Sequence, residues 1–249
     1  MMTKIVLSFI FAIGFALVHL SSKYLSYIKE SLQSKFLSFA GGVAVSYVFL
    51  HLLPDLSHYQ QKVGERLDHG IGQYLEDHIY LIAVLGLALF YGLERLVKNS
   101  KKKQGGQSNS EDVAVSSGVF WVHMASFFFY NAVIGYLLIR EEYETKWGMF
   151  FFFLALSIHF VANDHGLRKD HKQKYDKYGR VLLTVAILIG WGIGAITVVH
   201  ELIVSILVAL LAGGIILNVL KEELPDDQES SFIAFIAGLA GFSVLMMLV

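Results

Sequence analysis

The sequence predicts an all-α polytopic membrane protein: eight transmembrane helices in a three, two, three arrangement whose outer groups form an inverted repeat. Three observations predict it. Hydrophobic residues make up 55% of the 249 and charged residues only 16%, with a mean hydropathy of +0.56; soluble domains run near ~45–50% and ~25%. The charges are segregated, leaving long apolar runs, and a helix needs roughly 20 such residues to cross a ~30 Å hydrocarbon core. Finally, one phrase occurs twice, "AGGVAVSYVFLHLLPD" at 40–55 and "AGGIILNVLKEELPD" at 212–226.

Applied along the chain, the length rule places spans at 5–20, 36–53, 79–97, 113–139, 147–162, 181–199, 202–220 and 232–249. Lys4 before the first run suggests a signal peptide, but "VHLSS" is a poor small-residue cleavage site, so it is taken as a span. The second span closes on "HLLPDL", which holds one of only two prolines. The third leads into "KNSKKKQGGQSNSEDVAVSS", polar and Lys-rich, a flexible loop over 98–115. The fourth and fifth each contain "FFF", at 127–129 and 151–153, most simply lipid-facing or packing surface. The sixth and seventh are one apolar stretch divided by "VVHELI" at 198–203, and the eighth closes the chain. Because the runs are unbroken, they read as helices; barrel strands would alternate with period two. Little remains for a soluble domain, so residues 1–249 form a single transmembrane domain.

With the N-terminus outside, fifteen of the twenty Lys and Arg residues fall on inner loops and five on the outer side. That positive-inside bias puts both termini outside and the 98–115 loop in the cytoplasm; the plasma membrane is the expected location. The bias also makes the second span run from inside to outside and the seventh from outside to inside. The two AGG phrases, each second in a group of three, then pass in opposite directions. Such a trace marks an inverted repeat, with substrate sites near the midplane. A chance coincidence of small-residue pairs and helix-ending prolines is the alternative.

This layout, with "SFAGGVAVSYVFLHLLPDL" and "LLAGGIILNVLKEELPDD", resembles the ZIP family of divalent-metal transporters. The resemblance implies eight helices, outside termini, a long cytoplasmic loop after the third helix, and metal ligands on the fourth and fifth. Family motifs of the form H-N-x-x-D-G and H-E-x-P-E-G fall on "SFFFYN" (126–131) and "HFVAND" (159–164). Ser126, Phe127 and Tyr130 replace the first histidine, asparagine and carboxylate. His159 is kept, whereas Ala162, Asn163 and Asp164 stand where the proline, carboxylate and glycine would be.

Polar groups inside a bilayer are expensive, and each asks for a function or a partner. His159 and Asn163 are one helical turn apart on one face. Imidazole and carboxamide oxygen suit a first-row divalent ion such as Zn²⁺; hydrogen bonding to neighbouring helices is the alternative. Asp164 is about 140° around the helix from His159, and its expected partners are His165 and Arg168. On the fourth span, Ser126, Tyr130 and Asn131 offer hydroxyls and an amide to a cavity or to interhelical bonds, and His123 is a further metal candidate facing Asp164 or Asn163. On the outer side His51 and Asp55, with His58, His200 and Glu201, form either a cation-attracting vestibule or ordinary helix-end chemistry. Glu222, with Glu223, Asp226 and Asp227, receives an emerging cation or pairs with the basic 168–180 stretch. The orientation of Asn218 is open.

The leading function is therefore transport of a divalent metal ion, zinc-like, with Fe, Mn or Co as options, through a polar path between helices four and five. A ZIP-like membrane protein that transports no metal is the alternative. An intramembrane metal-dependent hydrolase ranks lower, because no H-E-x-x-H pair or marked nucleophile exists. No prosthetic group is implied. Partners are the bilayer and the metal ion, with a homodimer open; a net charge of −1 without a basic stripe speaks against nucleic acid. Zero cysteines removes disulfides and thiolate ligands.

Overall fold

A computed structural model describes residues 2–27, 30–66, 78–105, 115–141, 143, 147–223 and 231–247, with only the backbone at some helix ends. The described chain is helical almost throughout: α1 (Met2–Ser21), α2 (Glu30–Tyr47), α3 (Leu53–Arg66), α4 (Ile79–Gly105), α5 (Ser117–Arg140), α6 (Gly148–His171), α7 (Arg180–Ile196), α8 (Glu201–Asn218) and α9 (Phe232–Met247). Among the described residues seven helical stretches are long and apolar enough to cross a membrane, and Phe232–Met247 is a shorter apolar one. Exposed Leu, Ile, Phe and Val side chains on these helices are what a lipid solvent favours.

The chain divides into two units, Met1–Lys29 with Tyr91–Ile196, and Glu30–Phe90 with Thr197–Val249. The first is built from α1, α5, α6, α7 and the second half of α4. Its tightest contact is between α5 and α7, and glycine makes it possible: a Cβ on Gly190 would lie 1.9 Å from the carbonyl oxygen of Ala132. Between membrane helices no hydrophobic driving force remains, so close backbone approach through small residues supplies the attraction. Around this pair, Trp191 Nε1–H donates to Ser8 Oγ at 3.0 Å, and Phe11 stacks on Phe153 at 4.6 Å.

In the second unit the two AGG phrases make matching contacts. A Cβ on Gly42 of α2 would meet the Phe235 carbonyl of α9 at 2.1 Å, and one on Gly213 of α8 would meet the Ala83 carbonyl of α4 at 1.9 Å. Ser46 and Ser243 hydroxyls share a hydrogen bond at 2.8 Å further along the α2–α9 contact. The α2 helix lies against 219–223, and α8 against 48–52, so α2 and α8 run antiparallel.

Several expected boundaries move. Pro54 does not end a helix: α2, a π turn at Val48–Leu52 and α3 make one continuous helical stretch. Leu53 N–H donates to Val48 O, five residues back, and this wide turn carries the backbone past a residue with no N–H and an obstructing ring. A second π turn, Val219–Glu223, ends two residues before Pro225, which lies outside the described residues. The α4 helix continues to Gly105, so residues 98–105 of the loop expected to be flexible are helical; 106–114 lie outside the described residues. The fifth span runs on to His171 and stops where Lys172 takes a positive φ of 48°. The split at "VVHELI" is present, with His200 capping α8 by accepting from Leu202 N–H at 3.3 Å.

Candidate functional site

The first unit gathers buried polar side chains along α5 and α6, in three neighbouring sets. His159 of α6 and Tyr130 of α5 are both buried, with Nε2 and the hydroxyl 2.7 Å apart. Tyr130 O–H donates to Nε2 when the imidazole carries its proton on Nδ1. A metal ion approaching that nitrogen must displace the phenol. Asn163, one turn further along α6, is buried and its Nδ2 has no hydrogen-bond partner among the described residues. Such an unsatisfied amide costs about 1–3 kcal/mol, which makes it a feature to explain by function.

The second set centres on His19 of α1. Its Nδ1 lies 3.0 Å from Asp164 Oδ2, and its Nε2 lies 2.9 Å from Asn131 Oδ1. Asn131 Nδ2–H donates to Phe127 O at 2.8 Å, which leaves Oδ1 as an acceptor. Hence His19 Nε2 carries a hydrogen, and a further proton lies between Nδ1 and the Asp164 carboxylate. Both side chains of the pair are fully buried. Tyr175, at the start of a π turn over Tyr175–Gly179, stands beside Asp164 and Ser22. An aspartate at membrane depth survives because it is paired and hydrogen-bonded.

The third set joins α4, α5 and α6. His123 Nδ1 and His171 Nε2 are 2.8 Å apart, and His123 Nε2 lies 3.5 Å from Glu94 Oε1. All three side chains are buried.

Several sequence expectations are corrected. Asp164 pairs with His19, not with His165 and Arg168, because it points inward; Arg168 instead donates to both Asp176 oxygens, at 2.8 and 3.0 Å. His123 faces His171 and Glu94, not Asp164 or Asn163. Ser126 does not join Tyr130: its hydroxyl donates to Val122 O in its own helix at 3.1 Å. In the second unit His51 and Asp55 pair at 3.4 Å across one turn, and His200 and Glu201 are exposed. Asn218 is buried, its Nδ2 without a partner among the described residues. The side chains of Glu222 and Glu223, and all of Asp226 and Asp227, lie outside the described residues. Among the described residues no three His, Asp or Glu side chains converge to hold a metal ion.

Sequence reasoning missed His19, Glu94, His171 and Tyr175. The signal for His19 was present, a lone ionisable residue inside "FALVHLSS". Glu94 was hidden by adjacent Arg95 and the basic run beyond it. His171 was lost by ending the fifth span at 162.

Fold and side chains together define a helical, multi-pass integral membrane protein with a paired polar interior. Residues 2–124 match the family model of the ZIP zinc transporters, and the chain is consistent with a member of that family. This supports a membrane transporter of metal ions in general terms, and not an enzyme. The matched segment contains His19, Glu94 and His123 and stops before Tyr130 and α6. No curated protein matches the chain.

Proposed function

We propose that the chain moves a divalent metal ion, zinc-like in its chemistry, across the membrane along the α5–α6 face of the first unit. His159 is the central contact, and Asn163 offers its amide oxygen from the same side of α6. The observation that carries this reading is the burial of His159 and Asn163 one turn apart on α6, with the Tyr130 hydroxyl 2.7 Å from the His159 Nε2 that a metal ion would take. Imidazole nitrogen and neutral oxygen make a weak site for a borderline ion, which favours release over storage. The α2–α9 and α4–α8 contacts, with a π turn within each AGG phrase, support an inverted repeat in a three, two, three order. The plasma membrane belongs to the same reading, and charge bias supports both termini outside with 98–115 in the cytoplasm. The bias also puts the His51–Asp55 pair, His200 and Glu201 on the outer side, where they attract cations. Association as a homodimer belongs to the same reading and is tested by cross-linking in native membranes.

A second reading, a ZIP-like membrane protein without metal transport, is favoured by one specific observation. Asp164, the buried carboxylate nearest the midplane motif, is committed to His19, and no three candidate ligands converge among the described residues. Flux separates the two. Protein reconstituted in liposomes is expected to take up Zn²⁺, with Mn²⁺, Fe²⁺ and Co²⁺ tested beside it, and His159→Ala to reduce uptake. Unchanged flux in His159→Ala removes this residue from the path; absence of flux for all four ions establishes the second reading.

A further inference from the structure

We propose that Glu94 and His123 form a second site for a divalent first-row cation, separate from His159 and Asn163. Glu94 is 7% exposed and His123 1% exposed, so both are shielded from bulk solvent. Their facing atoms, Oε1 and Nε2, are 3.5 Å apart, too far for a good hydrogen bond, and Nε2 has no hydrogen-bond partner among the described residues. Two ligands bound at ~2.0–2.1 Å to one tetrahedral ion stand roughly 3.3 Å apart. The gap between carboxylate and imidazole is thus the spacing of two ligands sharing an ion.

The other side of the imidazole supports the same assignment. His123 Nδ1 is 2.8 Å from His171 Nε2. When Nδ1–H donates to His171, Nε2 presents a lone pair toward the carboxylate, an arrangement that a cation relieves. Metal-bound histidines are held in this way, with the second ring nitrogen on a hydrogen-bonding partner. His171 is itself fixed by edge contacts to Phe120 at 5.2 Å and to His123 at 5.1 Å, which makes it a positioning residue. One nitrogen and one carboxylate oxygen suit Zn²⁺ or Co²⁺, with water filling the remaining positions. The site takes two protein ligands, in keeping with the absence of any converging group of three among the described residues. It rests on the transport reading only for its role, a waiting point beside α4; binding itself stands apart from flux.

The test uses the purified full chain in detergent carrying His159→Ala, so that the first site contributes no imidazole. Titration with Co²⁺, followed by its visible absorption, is expected to show one ion per chain, and X-ray absorption with Zn²⁺ to show a single imidazole nitrogen in a shell otherwise of oxygen. Adding Glu94→Gln or His123→Gln is expected to weaken binding by about tenfold or more, and His171→Phe to weaken it less. Glu94→Asp, which keeps the charge, restores part of the affinity and serves where the glutamine variant does not fold. No ion bound to the His159→Ala protein, or a bound ion without imidazole, overturns the proposal. So does equal affinity with and without the Glu94 carboxylate. Binding without flux would sink the transport reading and leave this site standing.

Discussion

Replacing His19 by leucine isolates the energetics of the buried pair. In the native chain His19 and Asp164 are both 0% exposed, with Nδ1 at 3.0 Å from the carboxylate. His19→Leu leaves that carboxylate buried without its counter-group, at a cost of about 3–5 kcal/mol. Asp164→Leu leaves an imidazole whose Nε2–H still reaches Asn131 and whose Nδ1 has lost its partner, at about 1–3 kcal/mol. The double variant buries no lone charge. What remains is the Asn131 oxygen, deprived of its donor, again about 1–3 kcal/mol. Because the Asn131 loss is common to His19→Leu and the double variant, it cancels, and the double variant is more stable than the sum of the singles by about 4–8 kcal/mol. Reversible unfolding in mixed micelles measures this, read by tryptophan fluorescence, since Trp121, Trp147 and Trp191 all belong to the first unit. Additivity within about 0.5 kcal/mol would refute the pairing argument.

Four further outcomes are expected. Gly190→Ala, whose Cβ would meet the Ala132 carbonyl at 1.9 Å, destabilises the α5–α7 contact by about 1–3 kcal/mol in the same unfolding assay. Gly192→Ala, two residues on with nothing within 4 Å, is neutral or better. Tyr130→Phe removes the hydroxyl competing for His159 Nε2 and raises Zn²⁺ affinity at that site about 2–10-fold by isothermal titration; a fall would mean that the phenol itself binds the ion. Pro54→Ala stays within about 1 kcal/mol of wild type, because the wide turn already accommodates the proline, rather than giving the ~3 kcal/mol gain expected in a plain helix interior.

Hydropathy made the spans legible because desolvating a charge is costly enough to keep whole runs free of one. It could not reveal the partners. A lone histidine such as His19 meets Asp164 and Asn131 only after three helices pack, and sequence separations of 145 and 112 residues leave no local trace. Reading each polar residue against its neighbours in sequence therefore sent Asp164 toward Arg168 and His123 toward Asp164. The face shared by His159 and Asn163 was readable, since it follows from helical periodicity alone. The α6 boundary was not, because its last two turns are polar and were taken for loop. Pro54 misled for the opposite reason: a strong local signal for stopping was overruled by a wider turn that no single residue announces.

That wider turn has a consequence for how the segment tolerates changes in length. A five-back bond in an otherwise four-back helix is geometrically an inserted residue, absorbed in place. Deleting one residue within 48–52 would close the bulge and leave the flanking faces aligned as before, whereas the same deletion near Gly42 would swing every later side chain by about 100°. Spacing upstream of Pro54 is thus forgiving at the bulge and rigid elsewhere, a pattern that insertions and deletions in related chains would record.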